Sequence, residues 1–269
     1  MMNIGNKNFD NSRTYIMGIL NTTPDSFSDG GKFISLDAAL SHAGRMIEEG
    51  VDIIDIGGES TRPGYTPVDE DEEIRRTAPV IEAIKKRFTV PVSVDTSKSR
   101  VARAALDHGA DMVNDVWGLK NDADMASVIN HFSVPVCLMH NRRDTDYKNF
   151  MSDVISDINE SIAIAEAAGI TKDMLIIDPG VGFKKTQEQN LEVIRRLDEL
   201  HSLGCPILLG TSRKSVIGNV LCLSPDERVE GTIATSVVAV LKGVMFLRVH
   251  DVKENKRAVK MTEAVLGRI

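Results

Sequence analysis

The sequence predicts an α/β fold of the (β/α)8 TIM-barrel class, on three observations. Short apolar runs recur along the 269 residues, and a segment with helical character follows each of them. The runs are rich in Val, Ile and Leu and show little alternation, as in parallel strands that are covered on both faces. Eight such units of about 34 residues approach the typical size of this barrel, about 250 residues. A doubly wound sheet is the structural alternative, and the lack of a GxGxxG turn disfavours it.

The predicted strands are the eight apolar runs, taken in order along the chain. They are YIMGIL (15–20), VDIIDIG (51–57), VPVSVD (90–95), MVNDV (112–116), VPVCLM (134–139), MLIID (174–178), PILLG (206–210) and VMFLRV (244–249).

Helix signals fill the segments between these strands. Ser35 is a candidate N-cap for a first helix that Gly50 can end. Its apolar positions are Leu36, Ala39, Leu40, Ala43 and Ile47. A later stripe is formed by Leu191, Ile194, Leu197 and Leu200. No low-complexity linker interrupts the alternation, so residues 1–269 are interpreted as a single domain with a polar N-terminal extension at 1–13.

Composition and charge narrow the class of protein. Apolar residues make up 42% of the chain and charged residues 26%, which is typical of a soluble globular protein. The formal net charge of -7 argues against nucleic acid or an anionic membrane as the main partner. Cys137, Cys205 and Cys222 form no CxxC pair, and the N-terminus lacks a signal-peptide core. We therefore expect reduced thiols and a cytoplasmic location.

Polar residues stand where the predicted strands end, and in a barrel of this class chemistry lies at those ends. Any one of them could be a cap or turn former, but so many at one rim indicate a site. Asp95, Asn114 and Asp178 are short groups that offer acceptors and one amide. Together they suit a flat heterocycle that presents several N–H donors.

Cationic residues gather at other strand ends. Arg62 follows the second predicted strand, Arg213 and Lys214 follow the seventh, and Arg248 and His250 lie at the eighth. Units seven and eight are where this fold often binds phosphate, and GTSRKS precedes a predicted helix whose N-terminus favours an anion. The hexamer is not a P-loop. No zinc motif occurs, but Mg2+ held through phosphate oxygens remains open, with Asn21 able to supply one oxygen.

The segment NTTPDSFSDGGKF, residues 21–33, follows the first predicted strand and is too polar to bury itself. Either it is a solvated loop, or it closes over something polar. Gly30 and Gly31 would allow such a loop to fold back, because glycine tolerates positive φ.

Eight motifs occur in one order along the chain: GILNTTPDSFSDGG, DIGGESTRPG, SVDT, NDV, MHN, DPGVGF, GTSRKS and RVHDV. With them the chain resembles the bacterial dihydropteroate synthase family of folate biosynthesis, from about Tyr15 to the C-terminus. The resemblance implies a homodimeric (β/α)8 barrel. It also implies a transferase that condenses 6-hydroxymethyl-7,8-dihydropterin diphosphate with 4-aminobenzoate and releases diphosphate, with Mg2+ as cofactor and sulfonamides as inhibitors.

The resemblance also implies roles for individual residues. The positions that match the pterin site, its lining and its mouth are Asp95, Asn114, Asp178, Lys214, Met139, Phe183 and Gly210. Those that match the diphosphate site are Asn21, also the Mg2+ ligand, Arg248 and His250. Those around the aminobenzoate are Thr61, Arg62, Pro63, Lys214 and Ser215. The segments NTTPDSFSDGG and TRPGYTPV resemble two mobile loops, and we expect Asp29, Arg62 and Lys214 to contribute to catalysis.

Two departures from the family pattern lie outside this chemistry. MHNRRDTDYKNF stands where many members have an MHMQG stretch, and Val116 stands where Ile is frequent.

Two rival functions remain open. A pterin-dependent methyltransferase would share the Asp and Asn pocket but would not need STRPG, GTSRKS or RVH. A degenerate paralogue would bind a pterin without turnover.

Overall fold

Eight parallel strands form one sheet that closes into a barrel, as the sequence predicted. The structure is a computed structural model that describes residues 1–22, 36–59 and 68–268. The barrel strands are β3 (Tyr15–Asn21), β4 (Ile53–Gly57), β5 (Val92–Asp95), β6 (Met112–Asp115), β7 (Val136–Met139), β8 (Leu175–Asp178), β9 (Leu208–Leu209) and β10 (Phe246–Val249). Their order is β8-β7-β6-β5-β4-β3-β10-β9. The Ile177 N–H donates to the Pro206 carbonyl over 2.9 Å and joins β8 to the β9 segment, which completes the circle.

Helices surround the sheet and cover its outer face. They are α1 (Leu36–Glu48), α2 (Glu70–Arg87), α3 (Ser99–Asp107), α4 (Met125–Phe132), α5 (Phe150–Ala167), α6 (Gln187–Arg195), α7 (Ser215–Leu221), α8 (Val229–Leu241) and α9 (Val252–Val265). Short 3-10 turns lie at Lys172–Met174, Leu197–Leu203 and Pro225–Glu227. None of these described helices is long and apolar enough to cross a bilayer.

Two features differ from the helix prediction. The link from β9 to β10 contains both α7 and α8, so the described part of the chain has one helix more than the strict alternation predicted. The stripe predicted over Leu191–Leu200 is split, because α6 ends at Arg195 and the chain tightens into a 3-10 turn. Leu191 lies on the exposed side of α6, whereas Leu197 and Leu200 in the 3-10 turn are buried.

The extension at residues 1–13 contains an antiparallel hairpin of β1 (Met2–Ile4) and β2 (Lys7–Phe9). Its apolar side chains are buried with Tyr15 and Phe246 from inside the barrel. The Phe9 ring lies edge-on to Tyr15, with centroids 4.8 Å apart, and 5.6 Å from the Phe246 ring. The hairpin therefore closes the end of the barrel at which the strands begin.

The barrel interior changes from apolar to polar along several strands. Because side chains alternate between the faces of a strand, residues two apart point the same way. Met112 lies in the apolar interior and Asn114 follows it, Ile176 precedes Asp178, and Phe246 precedes Arg248. The period of two thus brings the polar groups together at the carboxyl ends of the strands.

Candidate active site

Four short polar residues on β4, β5, β6 and β8 form the floor of the site, at or near the carboxyl ends of these strands. Asp55, Asp95, Asn114 and Asp178 are each buried, and Asn114 Nδ2 donates to Asp55 Oδ2 over 3.2 Å. Within the described residues, Asp55 Oδ1 and Asp95 Oδ1 are buried and have no hydrogen-bond donor. A buried carboxylate oxygen without a donor is costly, so these atoms mark acceptors suited to a ligand.

Arg248 from β10 neutralises part of this floor. Its Nε donates to Asp55 Oδ2 and its terminal nitrogen to Asp95 Oδ2, each over 2.6 Å. Burial would lower the pKa of Arg248, but Asp55 and Asp95 raise it above its usual value. Burial raises the pKa of Asp95 to about 7, against the attraction of Arg248 and with added repulsion from Asp55.

Lys214 lies at the rim, beside Asp178. Its Nζ donates to the Val181 carbonyl over 2.6 Å and stands 4.9 Å from the centre of the Phe183 ring. Burial lowers the pKa of Lys214 to about 8, although Asp178 opposes that fall. Burial likewise raises the pKa of Asp178, whose Oδ1 accepts from the Gly180 N–H over 2.7 Å while Lys214 attracts it.

Gly210 follows β9 and leaves open space between these groups. A side-chain carbon there would lie 3.7 Å from Asp178 Oδ2, 3.8 Å from Arg248 Cβ and 3.9 Å from Lys214 Nζ. The glycine thus adjoins the Asp178 carboxylate, the Lys214 ammonium and the stem of the Arg248 side chain. A flat ligand could approach the backbone at this point.

The end of β10 is fixed to the segment after β9 by side-chain contacts. Ser212 Oγ accepts from the His250 backbone N–H over 3.1 Å and lies 3.0 Å from His250 Nδ1. Arg213 forms a two-point ion pair with Asp251, at 2.6 Å and 3.1 Å. Because Arg213 is engaged in this way, it holds the two segments together, and Lys214 is the residue directed to the floor.

The remaining predicted site residues are placed as follows. Asn21 ends β3 and is half-buried, Met139 is buried at the end of β7, and Ser215 is exposed at the first position of α7. The structure therefore brings Asp95, Asn114, Asp178, Lys214 and Arg248 together. Asp29, Thr61, Arg62 and Pro63 lie outside the described residues.

The sequence predicts no role for Asp55. The available sequence signal was an aspartate within the apolar run IIDIG. Asp55 lies two residues after Ile53, whose side chain points into the barrel, so the two side chains lie on the same face of the strand. The sequence predicts no role for His140 either. This residue is buried and lies 2.8 Å from Lys185 Nζ, which no sequence motif indicated.

A separate cleft of about 480 Å³ opens at the other end of the barrel, lined by Arg13, His201, Cys205 and Arg268 among others. It lies near the starts of the strands and the tips of the connections into them. In this fold that end serves stability, so the carboxyl ends of the strands are the candidate site.

Comparison with known proteins agrees with this geometry. The pterin binding enzyme family model matches residues 17–250. Dihydropteroate synthase from Clostridium beijerinckii is 56% identical over 99% of this chain and 100% of its own length. The enzyme from Escherichia coli is 45% identical over 96% of this chain and 94% of its own length.

Two solved structures are similar over nearly their whole length. Dihydropteroate synthase from Clostridium difficile, in the presence of pteroic acid, has a TM-score of 0.93 and 55% identity, covering 98% of this chain and 99% of that one. The Yersinia pestis enzyme with a sulfonamide drug has a TM-score of 0.93 and 42% identity, covering 99% of both chains. With the family model matching most of its length, this chain belongs to the pterin-binding enzyme family.

Proposed function

We propose that the chain is a dihydropteroate synthase. It joins 6-hydroxymethyl-7,8-dihydropterin diphosphate to 4-aminobenzoate and gives 7,8-dihydropteroate and diphosphate. The observation that carries the proposal is the buried floor of acceptors beside two half-buried cations, Lys214 and Arg248. Relatives of this chain have been solved with pteroic acid, with 4-aminobenzoic acid and with a sulfonamide, which supports these classes of substrate and inhibitor.

The floor suits the donor edge of a pterin. Asp178 has one oxygen bound to the Gly180 N–H and one directed at the space beside Gly210. Asp95 has an oxygen without a donor among the described residues. These carboxylates would accept from the ring N–H and amino groups, and Asn114 would add its amide. Met139 and Phe183 would line the pocket and its mouth.

The chemical step is a substitution at the pterin CH2 carbon. The C–O bond to diphosphate breaks, the conjugated pterin stabilises the cationic carbon, and the aromatic amine then forms the C–N bond and loses a proton. The amine is neutral at pH 7 and needs no strong base, so departure of diphosphate is the harder part. Arg248, His250 and the positive charge of Lys214 would stabilise the charge that develops there.

The residues around Asn21 fit Mg2+. Asn21 Oδ1 and Asp95 Oδ2 lie 3.8 Å and 3.7 Å from the position that a side-chain carbon on Gly57 would take, so the glycine leaves space beside both oxygens. Among the described residues no group of three or more His, Cys, Asp or Glu could hold a metal. Few protein ligands suit Mg2+, which keeps waters and binds phosphate oxygens. Bound there, it would neutralise charge on the diphosphate.

We further infer that Asp29 and Arg62 act in catalysis, and that Thr61, Arg62, Pro63, Lys214 and Ser215 contact the aminobenzoate. A cationic carbon is vulnerable to water, so the site should close before the bond breaks. Binding would then be ordered, with the pterin substrate first. Tight binding of 4-aminobenzoate to the free enzyme, measured by calorimetry, would contradict this order.

A homodimer is the assembly that we propose, through the outer face of α7 and α8. Inside, α8 buries Thr232 and Ser236, whereas outside it exposes Val238 and Leu241. Leu221 on α7 is also exposed. The inner side of α8 also buries Ala239 and Val240, so α8 is apolar on both sides. Exposed apolar residues that lie together on α7 and α8 indicate a covered face. We expect a dimer in sedimentation and a monomer in the Val238→Glu variant; a wild-type monomer would refute the assembly.

One assay tests the proposed function against its rivals. Purified enzyme with the pterin diphosphate, 4-aminobenzoate and Mg2+ should form dihydropteroate and release diphosphate. A pterin-dependent methyltransferase would form no dihydropteroate, and a degenerate paralogue would bind a pterin without product. Absence of product while a pterin still binds would therefore contradict the proposal.

A further inference from the structure

A polar cluster around the buried His140 lies just outside the floor, between the segments that follow β7 and β8. Its members are His140, Arg142, Asp157 and Lys185, and we call it the His140 cluster. The His140 backbone N–H donates to the Asp178 carbonyl over 2.8 Å, so the cluster begins next to the floor. None of its side chains belongs to the acceptor set described above.

The hydrogen bonds fix the state of the His140 ring. Nε2 lies 2.9 Å from Asp157 Oδ2, which also accepts from Arg142 Nε over 2.5 Å. Burial lowers the pKa of His140 to about 4, although the hydrogen bond to Asp157 opposes the fall, so the ring is neutral at pH 7. A carboxylate can only accept, so Nε2 carries the hydrogen and Nδ1 is left as an acceptor.

Lys185 uses that acceptor and two more. Its Nζ donates to His140 Nδ1 over 2.8 Å, to the Gly180 carbonyl over 3.0 Å and to the Phe183 carbonyl over 3.2 Å. Burial lowers the pKa of Lys185 to about 7, against the attraction of Asp178. In its ammonium form the side chain has three N–H donors, and each has an acceptor here. Gly180 also approaches His140 so closely that a side-chain carbon on it would lie 2.0 Å from the His140 carbonyl oxygen. The segment 180–183 is therefore held at both ends.

This held segment is the one that contacts Lys214. The Val181 carbonyl accepts from Lys214 Nζ, and the Phe183 ring lies beside the same ammonium. We propose that Lys185 is a positioning residue, which fixes Lys214 at the rim of the pterin site by anchoring segment 180–183 to His140. The inference deepens the proposed function and rests on it.

A double-mutant cycle tests whether Lys185 acts through Lys214. Lys185→Met removes all three donors at similar volume, and Lys184→Met is the matched control, with the same charge change on an exposed neighbour. At saturating 4-aminobenzoate, Lys185→Met should raise KM for the pterin diphosphate about tenfold, the scale of one charged hydrogen bond. Lys184→Met should stay within about twofold of wild type, as a surface substitution does.

The decisive measurement is the energetic coupling between the substitutions at Lys185 and Lys214. If Lys185 acts by placing Lys214, the variant that carries both Lys185→Met and Lys214→Met should be no worse than Lys214→Met alone. Fully multiplicative losses would show that Lys185 acts independently and would overturn the proposal, as would an unchanged KM in Lys185→Met. Should Lys185→Met not fold, Lys185→Gln, which keeps two N–H donors, replaces it in the same cycle with the same criterion. A wild-type chain that forms no dihydropteroate would instead refute the proposed function.

Discussion

Replacement of Asp178 by Asn tests the acceptor floor with a change of one atom. Asp178 Oδ1 accepts from the Gly180 N–H over 2.7 Å, and that donor is fixed by the backbone. In Asp178→Asn the amide oxygen must therefore remain on Gly180, and the NH2 group must take the position of Oδ2. That position faces the space beside Gly210, so a donor would meet the N–H donors of the pterin.

The expected loss follows from one charged, buried hydrogen bond. Such a bond is worth roughly 1.5–3 kcal/mol, which corresponds to about 10- to 150-fold in the dissociation constant. Titration calorimetry of the variant with a bare pterin, such as 6-hydroxymethylpterin, measures this loss directly. Urea unfolding of the same variant checks that the fold is kept, which we expect because the bond to Gly180 survives.

Asp107→Asn is the control for the loss of one negative charge. Asp107 is exposed at the last position of α3, and helices in this fold end away from the carboxyl ends of the strands. Its pterin affinity should match that of wild type. Unchanged affinity in Asp178→Asn, with both proteins folded, would refute the assignment of Asp178 as a pterin acceptor.

Two further predictions concern inhibition and stability. Sulfonamides should compete with 4-aminobenzoate, because the segments that resemble the aminobenzoate site, STRPGY and TSRKS, contain no insertion. Steady-state inhibition that is non-competitive towards 4-aminobenzoate would contradict this. Burial lowers the pKa of His140 from 6.5 to about 4. Between these pH values the imidazole is protonated in the unfolded chain but neutral in the folded chain, so a fall in pH favours unfolding. His140 should thus cost up to about 3 kcal/mol of stability as the pH falls through this window. In urea unfolding, the free energy of unfolding of His140→Gln should fall less between pH 6.5 and 4.5 than that of wild type. Equal falls in the two proteins would show that protonation of His140 is not the cause.

Most of the barrel was predictable, because its signal is local. Each strand is a short run of Val, Ile and Leu that parallel pairing buries on both faces, and the eight predicted runs correspond to β3–β10. The split of the Leu191–Leu200 stripe was not predictable from periodicity. It depends on whether the chain tightens after Arg195, and apolar spacing is similar in both conformations.

The site was predictable only where residues end strands. Asp95, Asn114 and Asp178 share that position, and the fold brings strand ends together. The partners of Arg248 could not be predicted, because Asp55 and Asp95 lie on other strands, far away in sequence. Lys185 lies in a connecting segment, and only the path of that segment brings it to His140. Motif spacing carries no information on such contacts.

The seam between β3 and β10 has a consequence for biosynthesis. Tyr15 pairs with Phe246 and Gly18 pairs with Val249. One of the first segments to leave the ribosome therefore cannot complete its pairing until one of the last has been synthesised. Such long-range pairing is slow to form. Arg248 arrives with that same strand, and until then Asp55 and Asp95 lack their counter-charge. A chain interrupted before β10 therefore has neither a closed sheet nor a neutralised floor, because the last translated strand supplies both the closing pairs and Arg248.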